Sequence, residues 1–214
     1  MGSDVYTPYE DILMNFEKRA QEILSIQKKA VQNLELTPAM LQVISKLIEV
    51  GTKGNRIITL GMGKAGFIAM KMSATLASIG LPSFFIHPAE GLHGDVGRVQ
   101  DSDLLIVFSH SGKTSEVSQF ITTLDLLNHK KNAIIVISNN PNPQFRSTIT
   151  VNYEMEMESC VVSKVPSTST TLMLLISDII AITAAESLGF SDSMFQLRHP
   201  GGSIGQSYKR DDKH

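Results

Sequence analysis

The sequence has no tryptophan, a single cysteine and few aromatic residues of any kind. With Cys160 alone, an intrachain disulfide framework and a cysteine-rich zinc module are both excluded. There is no continuous run of about 18 apolar residues, so no membrane span is expected. Residues 1–20 mix acids and bases without an apolar stretch, so no secretory signal is expected either. The reading is a soluble, cytoplasmic protein. Excess positive charge is also missing. Lys and Arg number 19 against 21 Asp and Glu, a formal net charge of −2, and a dedicated nucleic-acid binder normally carries the opposite balance. No repeat of fixed period and no low-complexity tract interrupts the chain. What is present is 42% hydrophobic residues over 214 positions, enough for an ordinary core and too much for global disorder. The length fits one domain, at about 100–200 residues per domain.

Two helices come first, over about 9–52. Ile12, Leu13, Phe16, Ala20, Ile23, Leu24 and Leu34 recur near a 3.6-residue period, with Glu and Lys between them. This predicts an amphipathic arm over 9–34 whose apolar face wants a partner. Thr37-Pro38 then reads as an N-cap with proline at the first helical position, and Gly51 and Gly54 close that second helix. From about residue 55 the pattern becomes short apolar strands alternating with helices. Strands are predicted at 56–60, 83–87, 104–108, 133–137 and 149–153. Helices are predicted up to Ile79, from Ser115 to His129 and over 169–188. Such alternation predicts an α/β fold, a five-stranded parallel sheet covered by helices on both faces. The charged segment Tyr208–His214 is expected to fray.

Ligands of open parallel sheets bind beyond the carboxyl ends of the strands, where helix N-termini favour anions. Three turns there carry polar residues. Gly61-Met62-Gly63-Lys64-Ala65-Gly66 matches G-x-G-x-x-G between strand and helix. A dinucleotide site also wants an acid ending the second strand, and His87-Pro88-Ala89 stands there instead. The Walker spacing is absent. Lys64 is either a solvated lysine or a cation facing the ligand. The second turn, Ser109-His110-Ser111-Gly112-Lys113-Thr114-Ser115-Glu116, packs four hydroxyls and a glycine into eight residues. Capping needs only one of them, and the rest suit phosphate oxygens. The third, Pro166-Ser167-Thr168-Ser169-Thr170-Thr171, opens the last helix with five hydroxyls.

These turns, with Phe84-Phe85-Ile86-His87-Pro88, His93-Gly94-Asp95-Val96-Gly97, Glu158-Ser159-Cys160 and His199-Pro200-Gly201-Gly202-Ser203-Ile204-Gly205, resemble the sugar isomerase (SIS) domain family, and within it the arabinose 5-phosphate isomerases. The resemblance runs over about residues 10–207. It implies a flavodoxin-like αβα sandwich, with the core and its C-terminal segment over about 55–207 and one SIS domain over 1–214. Many family members continue into a pair of regulatory CBS modules. This chain ends about ten residues after Gly205, so no CBS domain is expected. The implied activity interconverts D-ribulose 5-phosphate and D-arabinose 5-phosphate through an enediol. Its product feeds Kdo for lipopolysaccharide or capsule. A 6-phospho-3-hexuloisomerase and a non-catalytic sugar-phosphate sensor are the alternatives.

The resemblance implies Lys64, Glu116, Glu158 and His199 as catalytic groups. It implies Gly63, His93, Ser109, His110, Ser111, Thr114, Ser167 and Thr168 as substrate contacts. Each has a plainer reading. Glu116 suits the first turn of a helix without any ligand. Glu158 belongs to the alternating acids of Glu154-Met155-Glu156-Met157-Glu158. As the enediol base it would need partial desolvation to raise its basicity. His199 would open the sugar ring or shuttle a proton, and the family pattern sets it in the site of a neighbouring subunit. Which of Glu158 and His199 is the base does not follow from the sequence. A homotetramer is implied. No cofactor is, and zinc bound by His87, His93 and His199 would be an inhibitor. Cys160 and the methionines read as packing.

Overall fold

A computed structural model describes the backbone of residues 9–201 and the side chains of 15–201. The side chains of Ile12 and Leu13, the glycine-rich residues from Gly202 to Gly205 and the charged tail fall outside these. Helix α1 (Tyr9–Gln32) and helix α2 (Pro38–Lys53) come first. Thr37 caps α2 by accepting from Met40 N at 3.2 Å, and Gly54, at φ +67°, ends it. Then follow β1 (Ile57–Gly61), α3 (Gly63–Ser78), β2 (Ser83–Ile86), the single turn α4 (Pro88–Gly91), a 3₁₀ turn at Asp95–Arg98, β3 (Leu104–Phe108), α5 (Ser115–Leu126), β4 (Ile134–Ser138), β5 (Ile149–Asn152), α6 (Thr168–Ser187) and α7 (Asp192–Arg198).

The five strands are all parallel, in the order β2-β1-β3-β4-β5. That is the expected flavodoxin-like sheet, with its topological switch between β1 and β3. Strand side chains alternate between two apolar layers, as a period of two requires. Ile57, Leu104, Ile106, Phe108, Ile135 and Ile137 meet α2, α3 and α6. Ile58, Leu60, Leu105, Val107, Ile134 and Val136 meet α5 and the segment around the 3₁₀ turn. With both faces covered, β1, β3 and β4 are buried at every position, which is why they read as unbroken apolar runs.

Helix α5 stops three residues short of the expected His129, at Leu126, because Asn128 takes a left-handed φ of +66°. The helical turns α4 and α7 went unread because neither is long enough to show a 3.6-residue period. Among the described helices α6 has the length and composition of a membrane span. Here Leu172, Met173, Ile176, Ile180, Ala181 and Ala184 pack into the core. It is hydrophobic around its circumference because it lies between α2, α3 and the end of α1.

The G-x-G-x-x-G turn has a structural duty. A Cβ on Gly66 would lie 2.7 Å from Gly61 O, and one on Gly61 would lie 2.9 Å from the Ala65 carbonyl. The two glycines let α3 press its first turn against β1, and Gly63 supplies a φ of +55°. Gly66→Ala pits a methyl group against backbone that has no room to yield. It should cost about 1–3 kcal/mol in urea unfolding.

Candidate functional site

Beyond the carboxyl ends of β1 and β3 lies a cleft of about 470 Å³. Its walls include Met62, Gly63, Lys64 and Ala65 from the first turn, Ser109, His110, Ser111 and Thr114 from the second, and Glu158, Lys164, Pro166, Ser169, Thr170 and Met173 from the third. A slightly smaller cavity, about 430 Å³, opens elsewhere between α1 and the segment Glu154–Met157. Its one hydroxyl is Thr168 at the start of α6, and it has neither the cluster of hydroxyls nor the starts of α3 and α5, so the cleft at the switch point is the stronger site.

Two helices begin at the cleft without a cap from their N-cap side chains, α3 after Met62 and α5 after Thr114. Their first-turn N–H groups lack helical acceptors, and their dipoles present positive charge. Lys64 on the first turn of α3 and Lys164 across the cleft add two ammonium groups. In the second turn Ser109 Oγ and Thr114 Oγ1 are 2.8 Å apart, and Ser111 Oγ accepts from Lys113 N at 3.1 Å. Gly112 adopts φ +62° at the bend. The donors and cations of these two turns suit the oxygens of a phosphate.

The start of α6 is different, because Glu158 already occupies it. One carboxylate oxygen, Oε2, accepts from Ser167 N at 2.8 Å, Ser169 N at 3.2 Å and Ser167 Oγ at 3.2 Å. The other accepts from Ser169 Oγ. Glu158 is 6% exposed. Burial pushes its carboxyl up, but the bonds from Ser169 Oγ, the two backbone N–H groups and Ser167 Oγ outweigh burial and hold it below the ordinary value. The desolvation that Glu158 would need as enediol base is present, but these bonds cancel its effect and leave the carboxyl less basic than usual. Its lone pairs are already engaged as the N-terminal anion of α6.

The structure thus gathers Gly63, Lys64, Ser109, His110, Ser111, Thr114 and Glu158 into one cleft. Ser167 sits behind the wall as a donor to Glu158. Thr168 is buried, its Oγ1 2.9 Å from Ser159 Oγ. Glu116 is outside the lining set. Its carboxylate accepts from Ser115 Oγ at 2.7 Å. That bond, its own N–H and the charge of His87 hold it below the ordinary carboxylate value despite some burial. His93 is exposed beyond α4, away from the cleft walls. His199 ends α7, also outside the cleft of its own chain. Its ring stacks on Phe195 at 3.9 Å, and Nδ1 lies 2.7 Å from Phe195 O. A carbonyl only accepts, so Nδ1 carries the hydrogen. In the neutral ring Nε2 is left with its lone pair free. Among the described residues no three His, Cys, Asp or Glu side chains come together as a metal site, so His87, His93 and His199 do not form one within the chain.

Sequence reasoning missed Ser169, Thr170 and Lys164 as cleft residues, although the hydroxyl run named the right segment. It also missed α1 as a brace for the site. Gln27 Nε2 donates to Ser159 Oγ at 2.7 Å, Arg19 donates to Ser159 O, and Lys29 pairs with Glu156 at 2.6 Å. Nothing in an amphipathic period points to such cross-links.

Comparison with known proteins agrees with this geometry. The SIS domain family model matches residues 52–178. Arabinose 5-phosphate isomerase KpsF of Escherichia coli is 42% identical over 190 residues, covering 87% of this chain and 57% of that protein. Arabinose 5-phosphate isomerase KdsD of Pseudomonas aeruginosa is 34% identical over 195 residues, 90% of this chain and 59% of that protein. The chain thus spans just under three fifths of the length of these curated relatives. Among solved structures, a candidate phosphosugar isomerase involved in capsule formation from Bacteroides fragilis superposes with a TM-score of 0.83 at 35% identity, over 87% of this chain and 98% of that one. The E. coli CFT073 protein c3406, solved in complex with arabinose 5-phosphate, gives 0.73 at 29% identity, over 91% and 100%.

Proposed function

Since this chain belongs to the SIS domain family, we propose that it is an aldose–ketose isomerase that interconverts D-ribulose 5-phosphate and D-arabinose 5-phosphate. One observation carries the reading. A single cleft joins a phosphate-type surface of uncapped helix ends, hydroxyls and two lysines to a buried, ionised carboxylate. The names of the relatives and the arabinose 5-phosphate complex of c3406 support the choice of sugar.

The reaction moves a proton between C1 and C2 of an open-chain sugar. A base takes the C1 proton of the ketose as the C2 oxygen gains one, giving the enediol. The enediol then loses its O1 proton and is protonated at C2. Lys64, Ser109, Ser111 and Thr114 would hold the phosphate and leave C1 and C2 toward Glu158. Glu158, being ionised, suits receiving the O1 proton of the enediol and passing it on to the water that protonated the C2 oxygen. His199, with Nε2 free, suits taking the carbon-bound proton. It would reach the cleft from a second copy of the chain. Exposed Phe16, Leu24 and Val31 on α1 and Leu197 on α7 are the apolar surface such an assembly would cover, and the reading extends to a homotetramer. The product's place in Kdo supply for lipopolysaccharide or capsule, and action in the cytoplasm, belong to the same proposal.

Incubation with D-ribulose 5-phosphate in deuterated water tests it. NMR should find arabinose 5-phosphate with deuterium at C2. Ribose 5-phosphate would overturn the sugar assignment, and bound ligand with neither product nor exchange would favour a sensor. Lys64→Met should raise KM about 10–100-fold by removing a charged donor, with the fold intact by circular dichroism.

A further inference from the structure

His110 stands between two hydroxyl residues of the phosphate-type turn, half-buried on the cleft wall. Its backbone is fixed, since its carbonyl accepts from Asn139 N at 3.1 Å and from Ser138 Oγ at 3.1 Å. Its ring is fixed as well. Nδ1 lies 2.9 Å from the hydroxyl of Tyr153, and the two rings are 6.0 Å apart. Tyr153 follows β5 and is 2% exposed, with its backbone N–H donating to Ser138 O at 3.0 Å.

The hydrogen in this bond has one satisfactory place. Among the described residues, His110 is the hydrogen-bond partner of the phenol. If Nδ1–H donated to the phenol oxygen, the phenol hydrogen would be buried without an acceptor, the costly arrangement. If the phenol donates to the Nδ1 lone pair, both groups are satisfied and the ring hydrogen moves to Nε2. Burial, and the nearby charge of Glu158, push the phenol far above its ordinary value, so it stays a hydroxyl and keeps that hydrogen.

We propose that Tyr153 locks His110 in the Nε2–H tautomer, so that His110 acts as a neutral hydrogen-bond donor to an oxygen of the sugar phosphate in the cleft. The proposal rests on the sugar-phosphate reading of this site and adds a positioning residue to it. His110 then complements His199. The bond from Nδ1 to Phe195 O leaves His199 an acceptor at Nε2, whereas the bond from Tyr153 leaves His110 a donor there. Two histidines of the same type are sorted into opposite roles by what each meets at Nδ1.

The test is long-range ¹H–¹⁵N NMR of the histidine rings together with kinetics. In the parent protein His110 should show the Nε2–H form, and in Tyr153→Phe a mixture of tautomers. KM for D-ribulose 5-phosphate should rise about tenfold in that variant, with kcat changed less. His110→Gln, whose amide N–H can reach toward the same place, should retain more affinity than His110→Ala. This pair of variants decides the matter if Tyr153→Phe does not fold. An Nδ1–H form in the parent, an unaltered tautomer and KM in Tyr153→Phe, or equal losses in the two His110 variants would overturn the proposal. Failure of the parent to isomerise ribulose 5-phosphate would sink the reading of the reaction instead, and the ring spectra would still decide the tautomer.

Discussion

Glu158→Gln is expected to lower turnover by about 10²–10⁴-fold, the usual loss when an acid–base group is removed. It should also destabilise the protein at neutral pH by about 1–3 kcal/mol, because a charge-assisted set of bonds at the start of α6 is replaced by an amide that presents two hydrogens to donors. The direction with pH follows from the depressed carboxyl. Its folded value lies below the ordinary 4.5. The stabilisation it supplies is therefore complete above about the ordinary value and is lost as pH falls through the folded one. Urea unfolding should show the parent and Glu158→Gln well separated at neutral pH and converging in acid. A constant gap would mean that the charge of Glu158 contributes nothing to the fold. Deuterium exchange separates its catalytic role from that of His199. If Glu158 handles the hydroxyl proton, the Gln variant should keep slow exchange at carbon after isomerisation is lost. Full turnover in this variant would remove Glu158 from the chemistry.

The second large effect concerns His199. His199→Ala should lose about 10²–10⁴-fold in kcat and should also lose exchange at carbon, since the group that takes that proton is gone. Its removal should barely touch stability, because the ring stacks on Phe195 at the edge of the molecule and α7 contributes no buried side chain. The more telling measurement mixes two inactive proteins. If His199 completes the cleft of a second copy, Glu158→Gln and His199→Ala chains assembled together should regain activity. One kind of site in the hybrid then carries both an intact Glu158 and an intact His199. Mixtures that stay inactive, with both chains folded and associated, would show that His199 does not act across an interface. A concentration-dependent loss of activity in the parent on dilution should accompany the positive outcome.

Much of this molecule was written in its residue order. The strands at 57–61, 104–108 and 134–138 were legible because burial on both faces demands unbroken apolar runs, and little else produces them. The start of α2 was legible in Thr37-Pro38 because capping is local chemistry. That the hydroxyl turns and Lys64 share one cleft was legible because they follow parallel strands, whose carboxyl ends gather on one edge of the sheet. The third turn was legible only as a segment. Five hydroxyls in a row do not say that Ser169 and Thr170 face the cleft while Ser167 and Thr168 turn behind it.

Tertiary structure decided the electrostatic state of the groups so brought together. As enediol base Glu158 would need burial to raise its basicity, and the fold instead surrounds it with the donors of a helix that begins ten residues later. Likewise no spacing rule joins His110 to Tyr153, or α1 to Ser159, across 43 and 132 residues. Periodicity and capping act over a few residues and are fixed by composition and order. The protonation and tautomeric states of side chains depend on partners a few ångströms away in space, and these exist only once the sheet has stacked its strands.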